Sequence, residues 1–157
     1  MKTNNNNNSN NETKKGNNRA QVFNYNGQQF TMSATFKGNK YGVFGDNMTH
    51  PAFVVTIKTD NDCTRFNFYA SHNDFCNGVT SLDRDGLRNA LDCFLSDGLC
   101  YDNARDFSDF CADMGYNDIG QYKKALAAWN GCKRHHATAA RLFGSNYAEI
   151  INEINEE

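Results

Sequence analysis

The sequence predicts an α+β fold, an N-terminal antiparallel sheet of about four strands packed by about four C-terminal helices. Three observations carry that expectation. Phe30, Met32, Ala34 and Phe36 alternate with Thr31, Ser33 and Thr35, the two-residue period of a strand with one buried face. Leu87, Ala90, Leu91, Phe94 and Leu95 recur at the three- and four-residue spacing of an amphipathic helix. Between the first two extended segments stands Asn26-Gly27, the pair best suited to the left-handed positions of a type I′ hairpin turn.

Residues 1–19, MKTNNNNNSNNETKKGNNR, hold no aliphatic or aromatic side chain after Met1. Such a segment has too little apolar surface to offset the entropy of ordering it. It is expected to be a disordered Asn-rich tail, and it lacks the apolar stretch of a secretion signal. Residues 20–157 then make one α+β domain, with the sheet over 20–70 and the helices over 80–157.

Within that domain, Gln21 to Tyr25 is the first strand and the alternating segment after Asn26-Gly27 the second. The stretch KGNKYGVFGDNMTHP, residues 37–51, carries Gly38, Gly42 and Gly45 and reads as a long irregular loop. Phe53, Val55 and Ile57 share a face of a third strand, TDND turns the chain, and Phe66 and Phe68 return on a fourth. Thr80-x-x-Asp83 has the form of a capping box for the first helix. Asp106-x-x-Asp109 opens a short helix with Phe107, Phe110, Cys111 and Met114, and Gly115 stops it. A long helix follows over about residues 119–143, with Tyr122, Ala125, Leu126, Trp129, Cys132, His136, Ala140 and Phe143 on one stripe. Asn146-x-x-Glu149 caps a last helix with Tyr147, Ile150, Ile151 and Ile154 inward.

Charge narrows the function classes. The chain carries 16 bases and 18 acids; without the tail's four bases and one acid, 12 and 17 remain, a net of −5. Phosphate binding needs clustered Lys and Arg, so a protein partner suits this domain better than nucleic acid. Lys14, Lys15 and Arg19 leave room only for a weak nucleic-acid contact through the tail. No run approaches the ~20 apolar residues of a membrane span, so no membrane partner is expected. Six cysteines, at 63, 76, 93, 100, 111 and 132, form no C-x-x-C pair. Without a secretion signal they read as reduced thiols packed as small apolar side chains.

Four candidate sites need weighing. FSDFCADMGYND, residues 107–118, lacks the ligand order of a calcium loop. Asp109 and Asp113 instead share the outer face of a short helix, with Asp118 beyond its end. Cys132 and His136 are four apart, but zinc wants a second pair and none is evident, so no metal is expected. The glycine-rich loop offers Tyr41, Phe44 and His50 as exposed aromatic contacts. Cys76 and His72, in SHNDFCNG, are the one candidate thiol–imidazole pair for nucleophilic chemistry, with Asn73 or Asp74 to orient the imidazole. No phosphate loop, dinucleotide fingerprint, nucleophile elbow or zincin motif is present, and no cofactor is expected.

ALDCFLSDGLCYDNARDFSDFCADMGYND, residues 90–118, is followed by Lys124-Ala125 and Cys132 on a helix, and then by RLFG. With FNFYAS before it, this run resembles a family of small accessory proteins of tailed phages and prophages. Members show a β-rich N-terminus ending in an F-x-F/Y-S segment, a leucine-rich helix and an FxDFCxDFGY stretch. The resemblance covers residues 66–153; where members carry a DSRKAE-like segment, this chain reads DIGQYKKA. It implies a phage accessory protein acting in the host bacterial cytoplasm. The expected function is that of an anti-CRISPR-like inhibitor, blocking a bacterial defence effector or other host protein by stoichiometric binding. Tyr41, Phe44 and His50 are then one contact surface, and Asp109, Asp113 and Asp118 a second that mimics phosphates toward a basic groove. Other readings are a small cysteine-dependent enzyme, a nucleic-acid-binding host-takeover factor and a virion component.

Overall fold

The structure, a computed structural model, describes residues 19–157. Strands β1 (Gln21–Tyr25), β2 (Gln28–Tyr41), β3 (Thr49–Lys58) and β4 (Cys63–Tyr69) form one antiparallel sheet in the order β1-β2-β3-β4. Helices α1 (His72–Cys76), α2 (Arg84–Asp102), α3 (Phe107–Met114), α4 (Tyr122–Phe143) and α5 (Ala148–Glu156) follow, with a 3₁₀ turn at Ile119–Gln121. The chain is α+β, as expected. The tail expectation falls on residues outside those described, apart from Arg19, which is exposed.

The chain divides into two compact units, and α2 begins in one and ends in the other. The first comprises the described residues through Asn24 and Gln29–Ala90; the second comprises Tyr25–Gln28 and Leu91–Glu157.

In the first unit, register explains the buried face of the sheet. Ala34 stands opposite Val55, which stands opposite Phe66, and Phe36 stands opposite Phe53, which stands opposite Phe68. Met32, Phe53, Val55 and Ile57 are almost wholly buried, and Thr31, Ser33 and Thr35 are part-exposed. The Asn26-Gly27 turn forms as read, with φ of 53° and 72°.

The glycine-rich loop is shorter than its composition suggests. β2 runs on to Tyr41 and β3 starts at Thr49, so only residues 42–48 leave the sheet. The extra length is absorbed by an irregularity in register between Phe36 and Asn39, where Gly38 sits at φ 93°. The cap position of the first long helix is Asp83, three residues past Thr80, and Asp83 Oδ1 accepts the amide of Gly86 at 2.8 Å. Helix α1 lies where the sequence reads as a loop. Ser71 and Asp74 close a full capping box there.

In the second unit, Asp106 caps α3 and Gly115 closes it in the left-handed conformation, as read. The long helix begins with a 3₁₀ turn capped by Asp118. Its buried residues are Ala125, Cys132, Ala139, Leu142 and Phe143, whereas Tyr122 and Leu126 of the expected stripe are exposed. Tyr147 and Ile150 are fully buried at the last helix, which has no side-chain cap from Asn146. The unit is closed by its own ends. Glu157 accepts from the Tyr25 hydroxyl at 2.7 Å, and Glu153 accepts from the Asn26 amide at 2.7 Å.

Candidate functional site

Two candidate regions belong to the first unit. At the end of β2, Tyr41 projects into solvent, its hydroxyl 3.4 Å from Asn47 Oδ1, and Phe44 is also exposed. His50, read from the sequence as a third exposed contact, is buried. The reason is its place on β3. Its Nδ1 faces the carbonyl oxygen of Ala70 at 2.8 Å and its Nε2 faces Asp46 Oδ2 at 2.7 Å. Both partners only accept, so the ring donates from both nitrogens and is held as the imidazolium. Burial disfavours that charge, but the bonds to Asp46 and Ala70 outweigh it and raise the His50 pKa above the ordinary 6.5. The same hydrogen bond to His50 holds the Asp46 carboxyl below its usual range. The loop is therefore pinned from inside, with the Phe44 ring set edge-on to His50 at 4.7 Å.

Beside it lies the thiol–imidazole pair. His72 and Cys76 are one turn apart on α1, with Cys76 Sγ 3.5 Å from His72 Nε2. His72 Nδ1 is 2.9 Å from the Thr49 carbonyl oxygen, and since that oxygen can only accept, Nδ1 carries the hydrogen. The backbone of β3 thus orients the imidazole; Asn73 and Asp74, suggested by the sequence for that role, are not its partners. Asp74 is occupied by Ser71 in the capping box.

The acids of 107–118 belong to the second unit and serve mostly local ends. Asp109 accepts from the Arg105 amide at 3.0 Å and from its guanidinium at 3.4 Å, which lowers its pKa. Asp118 accepts from the Gly120 amide at 3.1 Å. Asp113 is exposed on α3. What the sequence reading missed lies just after them. Ile119 is 93% exposed, and Tyr122, Leu126 and Met114 are exposed as well. Ile119, Tyr122 and Leu126 are spaced by three and four, so they follow one another along one side of the 3₁₀ turn and α4. A cleft of about 200 Å³ opens among Cys111, Tyr116, Asp118, Ile119, Tyr122 and Ala125. The available signal was Ile119 itself, an isoleucine directly after Asp118 and three residues before Tyr122, continuing the stripe past the start of the helix.

Cys132 and His136 pack within the second unit. Cys132 is buried, and burial first, then Asp97 and Cys100, push its thiol up to about 12. His136 Nδ1 sits 3.0 Å from the Tyr147 hydroxyl, with the Tyr101 ring 5.5 Å away. Among the described residues no group of three His, Cys, Asp or Glu side chains is placed to hold a metal ion. All six cysteines are unpaired, but Cys63, Cys76 and Cys93 are exposed rather than packed in the core. No helix of the described residues is long and apolar enough to cross a membrane.

No family model, curated protein or solved structure matches this chain.

Proposed function

We propose that this chain is a binding protein that acts by occupying a surface of one protein partner, as a phage-encoded, anti-CRISPR-like inhibitor of a bacterial defence effector in the host cytoplasm. The observation that carries the binding reading is the apolar surface of the second unit. An isoleucine left 93% exposed, in line with an exposed tyrosine and leucine, forgoes burial in its own unit. Side chains of that kind around a cleft are the anchors of protein–protein contacts. Asp113 and Asp118 lie next to them in sequence, exposed, and supply a polar rim that favours a partner with basic residues around an apolar centre. The phage setting is supported by the resemblance over residues 66–153.

The test uses Ile119→Asp and Tyr122→Ala, at two exposed positions. The wild-type chain is expected to form a one-to-one complex with a purified nuclease effector of a defence system, read by gel filtration with light scattering. Expressed in a host carrying that system, it restores phage plating. Both variants keep the wild-type melting temperature and lose affinity by roughly thirtyfold, the ~2 kcal/mol of an interface hot spot. Restoration of plating by the variants at wild-type level would overturn the assignment of this surface. Failure of the wild-type chain to protect against any such system would overturn the inhibitor reading.

A further inference from the structure

The thiol–imidazole pair of the first unit has no part in that surface, yet its geometry is that of an activated nucleophile. Such a pair needs a thiol within hydrogen-bond reach of an imidazole nitrogen that is free to accept, and a third group that sets the tautomer. Here Cys76 Sγ is 3.5 Å from His72 Nε2, and the Thr49 carbonyl holds the hydrogen on Nδ1. Cys76 is exposed, so a reactant can reach it. The other cysteines offer a contrast inside the same chain. Cys93 is exposed on the surface but partly desolvated, and that with Asp92 and Asp97 raises its pKa; burial followed by Asp97 and Asp113 raises that of Cys100, and Cys132 is buried. Cys63 is exposed like Cys76 but sits on β4, and among the described residues no imidazole is bonded to it.

The surroundings also select the reaction. Acyl transfer needs amide donors aimed at a developing oxyanion. Around Cys76 the backbone amides are already used: Phe75 donates to Ser71, Asn77 to Asn73, Gly78 to Phe75 and Val79 to Asp74. Thiol–disulfide exchange needs no oxyanion hole. It needs a thiolate, an accessible disulfide and a proton for the leaving sulfur.

We propose that Cys76, with His72 as its proton acceptor and donor, is a site of thiol–disulfide exchange with low-molecular-weight disulfides of the glutathione type. His72 Nε2 takes the proton of the Cys76 thiol, and the thiolate attacks one sulfur of the disulfide. The Cys76 Sγ–S bond forms as the disulfide bond breaks, and the departing thiolate takes the proton from His72 Nε2. Cys76 sulfur is oxidised to a mixed disulfide and the departing sulfur is reduced to a free thiol.

The experiment treats the fully reduced chain with limiting oxidised glutathione, quenches with acid and maps the adducts by mass spectrometry over time. Cys76 is expected to carry the first adduct, forming roughly three- to tenfold faster than that on Cys63, because only Cys76 has a proton acceptor within hydrogen-bond reach during the attack. His72→Gln is expected to bring Cys76 down to the Cys63 rate with the melting temperature unchanged. Equal rates at Cys63 and Cys76 in the wild-type chain, or an undiminished Cys76 rate in His72→Gln, would overturn the proposal. If His72→Gln fails to fold, Cys76→Ser decides: loss of the fast phase supports the site, and its persistence overturns it.

Discussion

Two positions in the interior decide more than their sequence context announces. His50 lies in a stretch that reads as loop, and nothing around it says that both ring nitrogens will meet acceptors. The signal was spatial, since Asp46 is four residues away across a turn and Ala70 is twenty residues on. The pairing has a pH consequence. His50 binds its proton more tightly folded than unfolded, so its contribution is fully present below about 6.5 and is lost as pH rises through the higher folded value. Asp46 has a lowered pKa, so its contribution is present above about 3.8 and is lost as acid protonates it. The loop is expected to be held best between those two limits. Melting temperature followed against pH should fall on either side of that window in the wild-type chain, and the fall at the alkaline side should vanish in His50→Gln. Gly98 is the second case. A Cβ there would stand 2.7 Å from the Tyr147 hydroxyl and 3.1 Å from backbone of His136. Tyr147 is fully buried and its hydroxyl is bonded to His136, so neither neighbour yields cheaply. Gly98→Ala is expected to destabilise the chain by about 1–3 kcal/mol, the cost of overpacking, although alanine is the better helix former by ~1 kcal/mol. A denaturant titration in which Gly98→Ala proves more stable would refute that close approach.

At the scale of elements, the sequence was readable wherever one rule acted alone. The Asn26-Gly27 hairpin, the alternation of β2 and the capped helix α3 each follow from a local signature, and each forms where it was read. Reading failed where two signatures competed. Thr80-x-x-Asp83 and Asp83 itself both offer a cap for α2, and the helix takes the nearer one. Ser71-x-x-Asp74 is as good a capping box as any in the chain, but only five helical residues follow, too few to carry a visible period. The stripe of α4 was drawn two residues too generously, because tyrosine and leucine at helical spacing look the same whether they face the interior or solvent. Two substitutions separate the competing caps. Asp83→Ala is expected to cost about 1 kcal/mol, in the range of a lost N-cap. Thr80→Ala should cost less, since Thr80 stands three residues before the position that caps α2. Equal losses in urea titrations would mean that both residues share the cap.

For the molecule as a whole, the relation between chain ends matters most and is least visible in the sequence. The tip of the first hairpin, Tyr25–Gln28, belongs to the same compact unit as the helices from Leu91 to Glu157. Three bonds make that unit one body: Tyr25 to Glu157, Asn26 to Glu153, and the Gln28 side-chain amide to the Phe143 carbonyl at 3.2 Å. Each joins residues more than a hundred positions apart. No periodicity or spacing rule connects such positions, and closing so long a loop carries an entropy cost that local signals do not reveal. An amide bonded to a carboxylate is among the stronger hydrogen bonds a chain makes. The Asn26 amide also sits at φ 53° in the turn, so its donor direction is set by the hairpin and not by α5. Glu153→Ala should therefore free that amide without changing the turn. The expected loss is about 1–2 kcal/mol, within the range for a hydrogen bond to a charged group. In hydrogen exchange the Asn26 amide should lose its protection, whereas β3 amides paired in the sheet interior keep theirs. Truncation after Asn152 removes both carboxylates and should lower the denaturant midpoint further than Glu153→Ala does. A truncated chain with the wild-type midpoint would show that the hairpin tip is held by its own turn and that the helical unit does not need it.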